Sequence, residues 1–316
     1  MTERTINKVS FIALSTCLPK SANPSLKKTG RLIKRALNVS EIRESPHLFS
    51  SDEAIDHVTA SAQDRLDFFR EVIRDSDLIL SAAGGTGAED LALKIDRKDY
   101  SVIRTRRPLF IGFSDFTFLL CEIYYHTRVP LIYFPSLKLG KGNFKKILTL
   151  IKGGEIQYQG SRWLTPPPVR SFSGIPIGGN LTTFLNFLNR QKPPRFSWAR
   201  HILFIEDVNI DVEDLHRLMA ALLRHQVLEK IKGLVVGSLY AYNRNHNYRR
   251  NQKDALRFLQ TYLAEVIGTR RRHGSPLPIL AVSNFGHNIV RDLMAVPIGG
   301  RARIFKSKKI VFRLPR

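Results

Sequence analysis

The chain has 316 residues, 43% of them hydrophobic, enough to bury two cores of ordinary domain size, and no apolar run approaches the roughly 20 residues that a membrane-spanning helix needs. The two cysteines, Cys17 and Cys121, stand far apart with no metal-ligand spacing, which argues against a disulfide framework or structural zinc and for a reducing compartment. A count of 50 Lys and Arg against 27 Asp and Glu gives a net charge of +23, a field that attracts anions without naming one.

Met1 to Lys8 is basic and Val9 to Leu18 apolar, which imitates a secretory leader. Lys20-Ser21-Ala22 is a poor cleavage site, however, and the segment fits a first core strand over Val9–Leu14. Leu26–Leu37 reads as a basic amphipathic helix, and Ser61 opens a stronger one whose Leu66, Phe69, Val72 and Ile73 keep a helical period. Asp77–Ala83 reads as a strand running into Gly84-Gly85-Thr86-Gly87, where three glycines in four residues permit positive φ and close backbone approach to a ligand. A helix over Ala88–Ile95 follows. In Pro108–Leu120 a short apolar run stops at Ser114 and an amphipathic run begins, the pattern of a buried strand turning sharply into a helix, with a further strand over Leu131–Phe134. Gly112 supplies one small residue of the G-x-S-x-G elbow, and Phe116 replaces the other.

From Lys138 to Ser173 the texture changes: a Gly/Lys-rich piece, a short helix over Phe144–Ile151 and Pro166-Pro167-Pro168 read as a connection. A second unit begins at Ile175 with Gly178-Gly179-Asn180 and a helix over Leu181–Asn189. Then come a strand at Ile202–Ile205 ending in Glu206-Asp207, a helix over Glu213–Leu228, a strand at Gly233–Leu239 and a helix over Lys253–Ile267. Ile279–Val282 is a strand leading into Phe285-Gly286-His287, and Lys309–Leu314 is a terminal strand. Alternation of this kind builds α/β domains: an N-terminal parallel-sheet domain over 1–140, a linker over 141–174, and a C-terminal mixed α/β domain over 175–316. Ligands of such folds sit beyond the carboxyl ends of the strands.

Ser114, Glu206 and His287 all stand where strands end. Acyl transfer by serine needs a base for the hydroxyl proton, an acid to fix the imidazole tautomer, and backbone donors for the oxyanion. Each residue has a plainer reading too: Ser114 as a helix N-cap, Glu206 as a cap or ion-pair partner, His287 as part of a structural turn. Spacing alone leaves both open. The basic, aromatic-studded stretch Arg244–Lys253, with Tyr240 and Tyr242 before it, and the clusters Arg270–Arg272 and Lys306–Lys309, suit single-stranded nucleic acid or simply solvated loops. No H-E-x-x-H, Walker loop or G-x-G-x-x-G is present, so metal hydrolysis and nucleotide-fold chemistry find no support in the sequence.

Taken in order, Gly84-Gly85-Thr86-Gly87, Ile111–Thr117, Gly178-Gly179-Asn180-Leu181, Ile202–Val208, Phe285-Gly286-His287 and Val296-Pro297-Ile298-Gly299 resemble the motifs of the LD-carboxypeptidase serine peptidases. The resemblance spans about residues 60 to 300. It implies Ser114 as nucleophile, Glu206 as the residue orienting the histidine, and His287 as general base. The main-chain N–H of Asp115 and one from Gly84-Gly85 would form the oxyanion hole, with Asn180 among the substrate-binding residues. It also implies an active site in the cleft between the two domains, no metal or cofactor, and a homodimer. The expected activity is cytoplasmic release of terminal D-alanine from murein-derived tetrapeptides in peptidoglycan recycling, with no specific nucleic acid partner. The alternatives are cleavage of peptidyl- or aminoacyl-nucleotides, as in the microcin-immunity branch, and non-catalytic binding of an anionic polymer. Ala83 replaces the arginine common before the Gly-Gly pair, Thr86 an aromatic after it, and Asn189-Arg190-Gln191 an expected Gly-Thr element, so the substrate lip departs from the family pattern.

Overall fold

The computed structural model describes residues 5–49, 60–138, 140–190, 197–240, 248–268, 276–287, 289 and 292–315. They divide into two compact units, Met1–Gly154 with Ala295–Gly299 and Leu314–Arg316, and Glu155–Met294 with Gly300–Arg313.

The first unit runs β1 (Lys8–Ile12), α1 (Asn23–Leu37), β2 (Glu41–Glu44), α2 (Ala62–Asp75), β3 (Leu78–Ser81), α3 (Ala88–Ala92), α4 (Arg97–Arg106), β4 (Leu109–Gly112), α5 (Thr117–Thr127), β5 (Leu131–Tyr133) and α6 (Lys141–Ile151). The strands β2-β1-β3-β4-β5 lie side by side and all parallel. In this doubly wound order the chain reverses direction of growth between β1 and β3, and the crevice beyond the carboxyl ends there is the natural ligand position. Strands buried on both faces need continuous apolar runs, which is why β3, β4 and β5 are buried throughout their length. The helices present one apolar stripe each: Leu66, Phe69, Val72 and Ile73 of α2 are almost fully buried, as the sequence period requires.

The second unit runs β6 (Glu155–Gln159), β7 (Arg162–Trp163), β8 (Ser171–Asn180), α7 (Leu181–Asn189), β9 (His201–Val208), α8 (Val212–Arg224), α9 (Val227–Lys230), β10 (Gly233–Tyr240), α10 (Tyr248–Gly268) and β11 (Ile279–Ala281). The chain then adds β12 (Val296–Ile298), antiparallel to β5, to the sheet of the first unit, and returns for β13 (Arg301–Phe305) and β14 (Lys309–Arg313). The eight strands of the second unit are ordered β6-β14-β13-β8-β9-β10-β11-β7, parallel from β8 to β11 and antiparallel elsewhere. Its two edge strands, β6 and β7, are joined through Gly160 and Ser161 alone. Three Cα steps reach about 11 Å, whereas seven strand spacings in a flat sheet span roughly 34 Å, so the sheet has to curl into a barrel. Phe204 of β9 and Phe312 of β14, three strands apart in that order, meet inside it with ring centroids 5.5 Å apart.

The span 141–174, read from sequence as a linker, is built of regular structure. Lys141–Ile151 packs Phe144, Ile147 and Leu150 into the first unit, and β6, β7 and the start of β8 belong to the barrel. The alternating pattern of Glu155–Gln159, exposed-buried-exposed-buried-exposed, is the strand signal that the Gly and Lys residues around it obscured. The second unit therefore starts at Glu155 rather than Ile175, and Val296–Ile298 lies in the first unit's sheet. Of the basic clusters, Arg244–Asn247 and Arg270–Arg272 lie outside the described residues, as does Tyr242. Among the described residues no helix is long and apolar enough to cross a membrane.

Candidate active site

Ser114 follows β4 after one extended residue, Phe113, and opens a 3-10 turn, Ser114–Phe116, that feeds α5. Its φ is +59°, a left-handed conformation that costs a non-glycine residue about 1–3 kcal/mol and persists only where the surroundings over-determine it. Three contacts do so. Ser114 N–H donates to Tyr133 Oη on β5 (3.1 Å), Thr117 Oγ1 donates to the Ser114 carbonyl (2.6 Å), and the Phe116 ring, fully buried, lies over Gly112. A Cβ on Gly112 would stand 1.9 Å from Phe116 Cδ1, so Gly112 is the residue that admits Phe116 where the sequence motif has its second glycine.

The glycine-rich loop lies against this elbow at the β1/β3 switch point. A Cβ on Gly84 would be 2.7 Å from Ser114 Cβ and 3.1 Å from Ser114 Oγ, which places the loop backbone beside the hydroxyl. Gly85 has φ +108°, and its α-carbon faces Thr16 so closely that a Cβ would fall 1.8 Å from Thr16 Oγ1. Thr16 in turn ties the loop to the end of β1: its N–H donates to the Gly84 carbonyl (3.1 Å), and its Oγ1 accepts from Thr86 N–H (3.2 Å). Asp115 closes the arrangement by accepting from Ala88 N–H (2.9 Å). Burial pushes the Asp115 carboxyl pKa up, and the hydrogen bond from Ala88 N–H pulls it back.

Sequence reasoning missed the residue beneath this loop. Arg65 on α2 is 2% exposed, and its Nη1 donates to the carbonyls of Leu14 and of Gly87 (2.8 Å), stapling the ends of β1 and of the glycine loop together. A signal was present: Arg65 stands four residues before Phe69, on the apolar stripe of α2, where a cation has no solvent to reach.

In the second unit, Glu206 is 0% exposed near the end of β9, in register with Asn180 on β8. Glu206 Oε2 accepts two hydrogen bonds from one residue, His287 N–H at 3.0 Å and His287 Nδ1–H at 2.6 Å. A carboxylate at that distance holds the proton on Nδ1 and leaves Nε2 as the accepting nitrogen. The His287 side chain is 20% exposed, so the imidazole reaches solvent while its acid partner does not. Gly286 makes the approach possible: φ is +119°, and a Cβ there would lie 2.8 Å from Glu206 Oε2. Ser238 on β10 steadies the same turn, donating from N–H to the Phe285 carbonyl (2.8 Å) and from Oγ to the His287 carbonyl (3.4 Å).

Asn180 is 5% exposed and committed at both ends of its amide. Oδ1 caps α7 by accepting from Thr183 N–H (3.0 Å), and Nδ2 donates to Asp207 Oδ1 (2.8 Å). Asp207 also accepts from Thr182 N–H (2.9 Å), Thr182 Oγ1 (2.7 Å) and its neighbour Val208 N–H (2.8 Å). Burial raises the Asp207 carboxyl pKa, and the adjacent Glu206 charge adds to that rise, against the lowering by the Thr182 and Val208 bonds. Asn180 and Asp207 thus frame β8, β9 and α7 behind Glu206. Of the predicted site residues, Gly84, Gly85, Ser114 and Asp115 are brought together in the first unit, and Asn180, Glu206 and His287 in the second. Among the described residues, no cluster of three or more His, Cys, Asp or Glu is arranged to hold a metal ion.

Residues 9–134 match the LD-carboxypeptidase N-terminal domain and residues 173–304 the LD-carboxypeptidase C-terminal domain. The chain is 25% identical over 269 residues to a Bacillus subtilis (strain 168) protein named "Probable murein peptide carboxypeptidase", covering 80% of this chain and 77% of that one. It is 24% identical over 289 residues to the microcin C7 self-immunity protein MccF of Escherichia coli, covering 80% and 78%. The solved muramoyltetrapeptide carboxypeptidase from Oxalobacter formigenes shares the fold with a TM-score of 0.74 at 21% identity, over 97% of this chain and 98% of that one. MccF in complex with glutamyl sulfamoyl guanosine gives the same TM-score, 0.74, at 18% identity, over 99% and 97%. The two domain matches occupy most of the sequence in consecutive order, and the chain belongs to the LD-carboxypeptidase family.

Proposed function

We propose that the chain is a serine carboxypeptidase that hydrolyses the L,D-peptide bond of murein tetrapeptides and releases terminal D-alanine during cytoplasmic peptidoglycan recycling. Ser114 Oγ attacks the scissile carbonyl while His287 Nε2 takes the hydroxyl proton, and Glu206 stabilises the imidazolium through Nδ1. The N–H of Asp115 and one from Gly84-Gly85 hold the tetrahedral oxyanion. His287 then gives its proton to the departing amine of D-alanine, and a water repeats the sequence on the acyl-enzyme. Side chains and main-chain N–H groups carry every step. The reading requires Ser114 Oγ and His287 Nε2 to come within hydrogen-bond reach during turnover, in a cleft between the units or within a homodimer. A strongly cationic chain suits a substrate with several carboxylates.

The observation that carries the reading is the 2.6 Å bond from His287 Nδ1 to a fully buried Glu206, which holds the imidazole in one tautomer and one orientation. The left-handed Ser114, pressed against Gly84, is the matching half. The deciding experiment incubates the purified chain with a murein tetrapeptide and follows the products by mass spectrometry. Free D-alanine from wild type, and none above background from Ser114→Ala, is the expected result. Release at the wild-type rate by Ser114→Ala would end the proposal. Turnover confined to an aminoacyl-sulfamoyl adenylate would move the activity to the bond that the microcin-immunity relatives' ligands represent.

A further inference from the structure

The outer face of the barrel carries a feature that peptide hydrolysis does not use. A groove of about 650 Å³ is lined by Arg200, Lys232, Arg301, Arg303, Lys309 and Arg313, with Glu155 the one carboxylate among its walls. All six cations are exposed, and none forms a salt bridge among the described residues. Strand alternation explains how they share a face: Ala302, Ile304, Ile310 and Phe312 point into the core, so the residues between them on β13 and β14 point out. Alternation does not explain their charge. Arg301 and Arg313 are direct cross-strand partners, an arrangement that repels and that a sheet selected only for stability would avoid. Three of the cations are also held in place. The Arg303 guanidinium stands 4.7 Å from the Phe305 ring centroid and Lys309 Nζ 6.0 Å from it, Arg303 Nε donates to Ser171 Oγ (3.2 Å), and Lys232 Nζ donates to the Ser173 carbonyl (2.9 Å).

We propose that this groove is a second binding site, independent of the peptidase reading, for a linear chain of phosphates, with a single nucleic acid strand as its occupant. Six cations sharing one groove, two of them beside an aromatic ring, have the chemistry of sites that track a sugar-phosphate backbone. The patch measures about 14 Å along β13 and about 19 Å across the four strand spacings from β14 to β10, room for a short run of phosphates on a flexible strand. A second copy of the same face would be repelled by it. A flat anionic bilayer would meet only the rim of a concave groove.

The test measures fluorescence anisotropy of an oligothymidylate of about 12 nucleotides with the full chain, from about 50 to 200 mM salt. Wild type and Ser114→Ala are expected to bind alike, with affinity falling linearly in log salt. The triple variant Arg301→Gln, Arg303→Gln, Arg313→Gln is expected to lose at least about tenfold in affinity and about 2 from the salt slope, since each lost phosphate contact removes about 0.7. A comparator with as many charges removed from exposed α1 positions, Lys27→Gln, Lys28→Gln, Arg31→Gln, should keep wild-type affinity and slope. Arg301→Gln alone should lower the slope by about 0.7 and melt at or above the wild-type temperature, because it relieves the Arg301–Arg313 repulsion; that variant decides the matter if the triple one fails to fold. Inorganic polyphosphate as competitor separates the sources of the shared chemistry: displacement at equal phosphate assigns recognition to the backbone, and weaker displacement adds a contribution from the bases. No binding by wild type at low salt, equal losses in the triple variant and the comparator, or binding confined to anionic phosphatidylglycerol vesicles would each overturn the proposal.

Discussion

At the scale of single residues, the site is governed by what cannot be there. Gly84, Gly112 and Gly286 are needed because a methyl group would displace Ser114, Phe116 and Glu206 respectively. Gly84→Ala puts a carbon 2.7 Å from Ser114 Cβ, so the elbow must shift. A displacement near 1 Å at a reacting group costs about 100-fold in rate. The expected outcome is a fall of that size in kcat with melting temperature little changed, measured on the tetrapeptide. An unchanged kcat would mean that Gly84 does not set the nucleophile's position. Glu206→Gln is expected to be more severe. The neutral amide cannot stabilise the imidazolium, and when its NH2 rather than its oxygen faces His287 Nδ1 the imidazole is held in the wrong tautomer, so kcat is expected to fall by about four orders of magnitude. Binding of product analogues should survive in Glu206→Gln, and its loss would point to a collapsed site instead.

At the scale of elements, the frame behind Glu206 is one capped helix. Asn180→Ala removes the N-cap of α7, worth about 1 kcal/mol, and takes one of four donors from the buried Asp207 carboxylate, which raises the cost to about 1–3 kcal/mol. Chemical denaturation should show that loss in the midpoint, with the slope unchanged; a wild-type midpoint would show that Thr182 and Val208 satisfy Asp207 unaided. Elements of this kind divide the features that could be read from sequence from those that could not. The apolar periods of α2 and α8, the buried strands β3, β4 and β9, and the strand-to-helix turn at Ser114 were legible because one segment's own pattern determined them. The helix read as continuous over Glu213–Leu228 breaks at Gln226, where φ is +54°, a local event with no glycine to announce it. β2, β7 and β12 were missed because strands of four, two and three residues acquire their identity from a partner elsewhere in the chain. β12 is the plainest case, since Val296–Ile298 pairs with Leu131–Tyr133 across more than half the sequence. Ser114, Glu206 and His287 were singled out by their motifs, whereas Arg65 and Thr16 act through backbone carbonyls and amides that no motif records.

At the scale of the whole molecule, an excess of 50 cationic over 27 anionic side chains sets how the chain responds to acid. Burial lowers the His225 pKa from its ordinary value of 6.5, and neighbouring Arg224 lowers it further. His126 is shifted the same way, by burial first and then by Arg104 and Arg128, and its Nε2 stands 3.2 Å from Glu122 Oε2. The sign of the consequence follows from proton counting. Between the depressed native pKa and 6.5 the unfolded chain binds the proton and the native chain does not, so the unfolded state holds more protons and stability rises with pH. The contribution is complete above about 6.5 and is lost as pH falls from there through the depressed native pKa. Melting temperature is therefore expected to drop between about pH 7.5 and about pH 5.5, a window that lies above the ordinary carboxylate range. His225→Gln, which keeps a hydrogen-bonding group for Asn189 Oδ1, now 2.7 Å from His225 Nε2, should show a smaller drop over the same window. Added salt should shrink the wild-type drop by screening Arg224 but leave the burial part in place. Identical drops in wild type and variant would remove His225 from the account and leave His126 and the overall positive field as the source of the acid sensitivity.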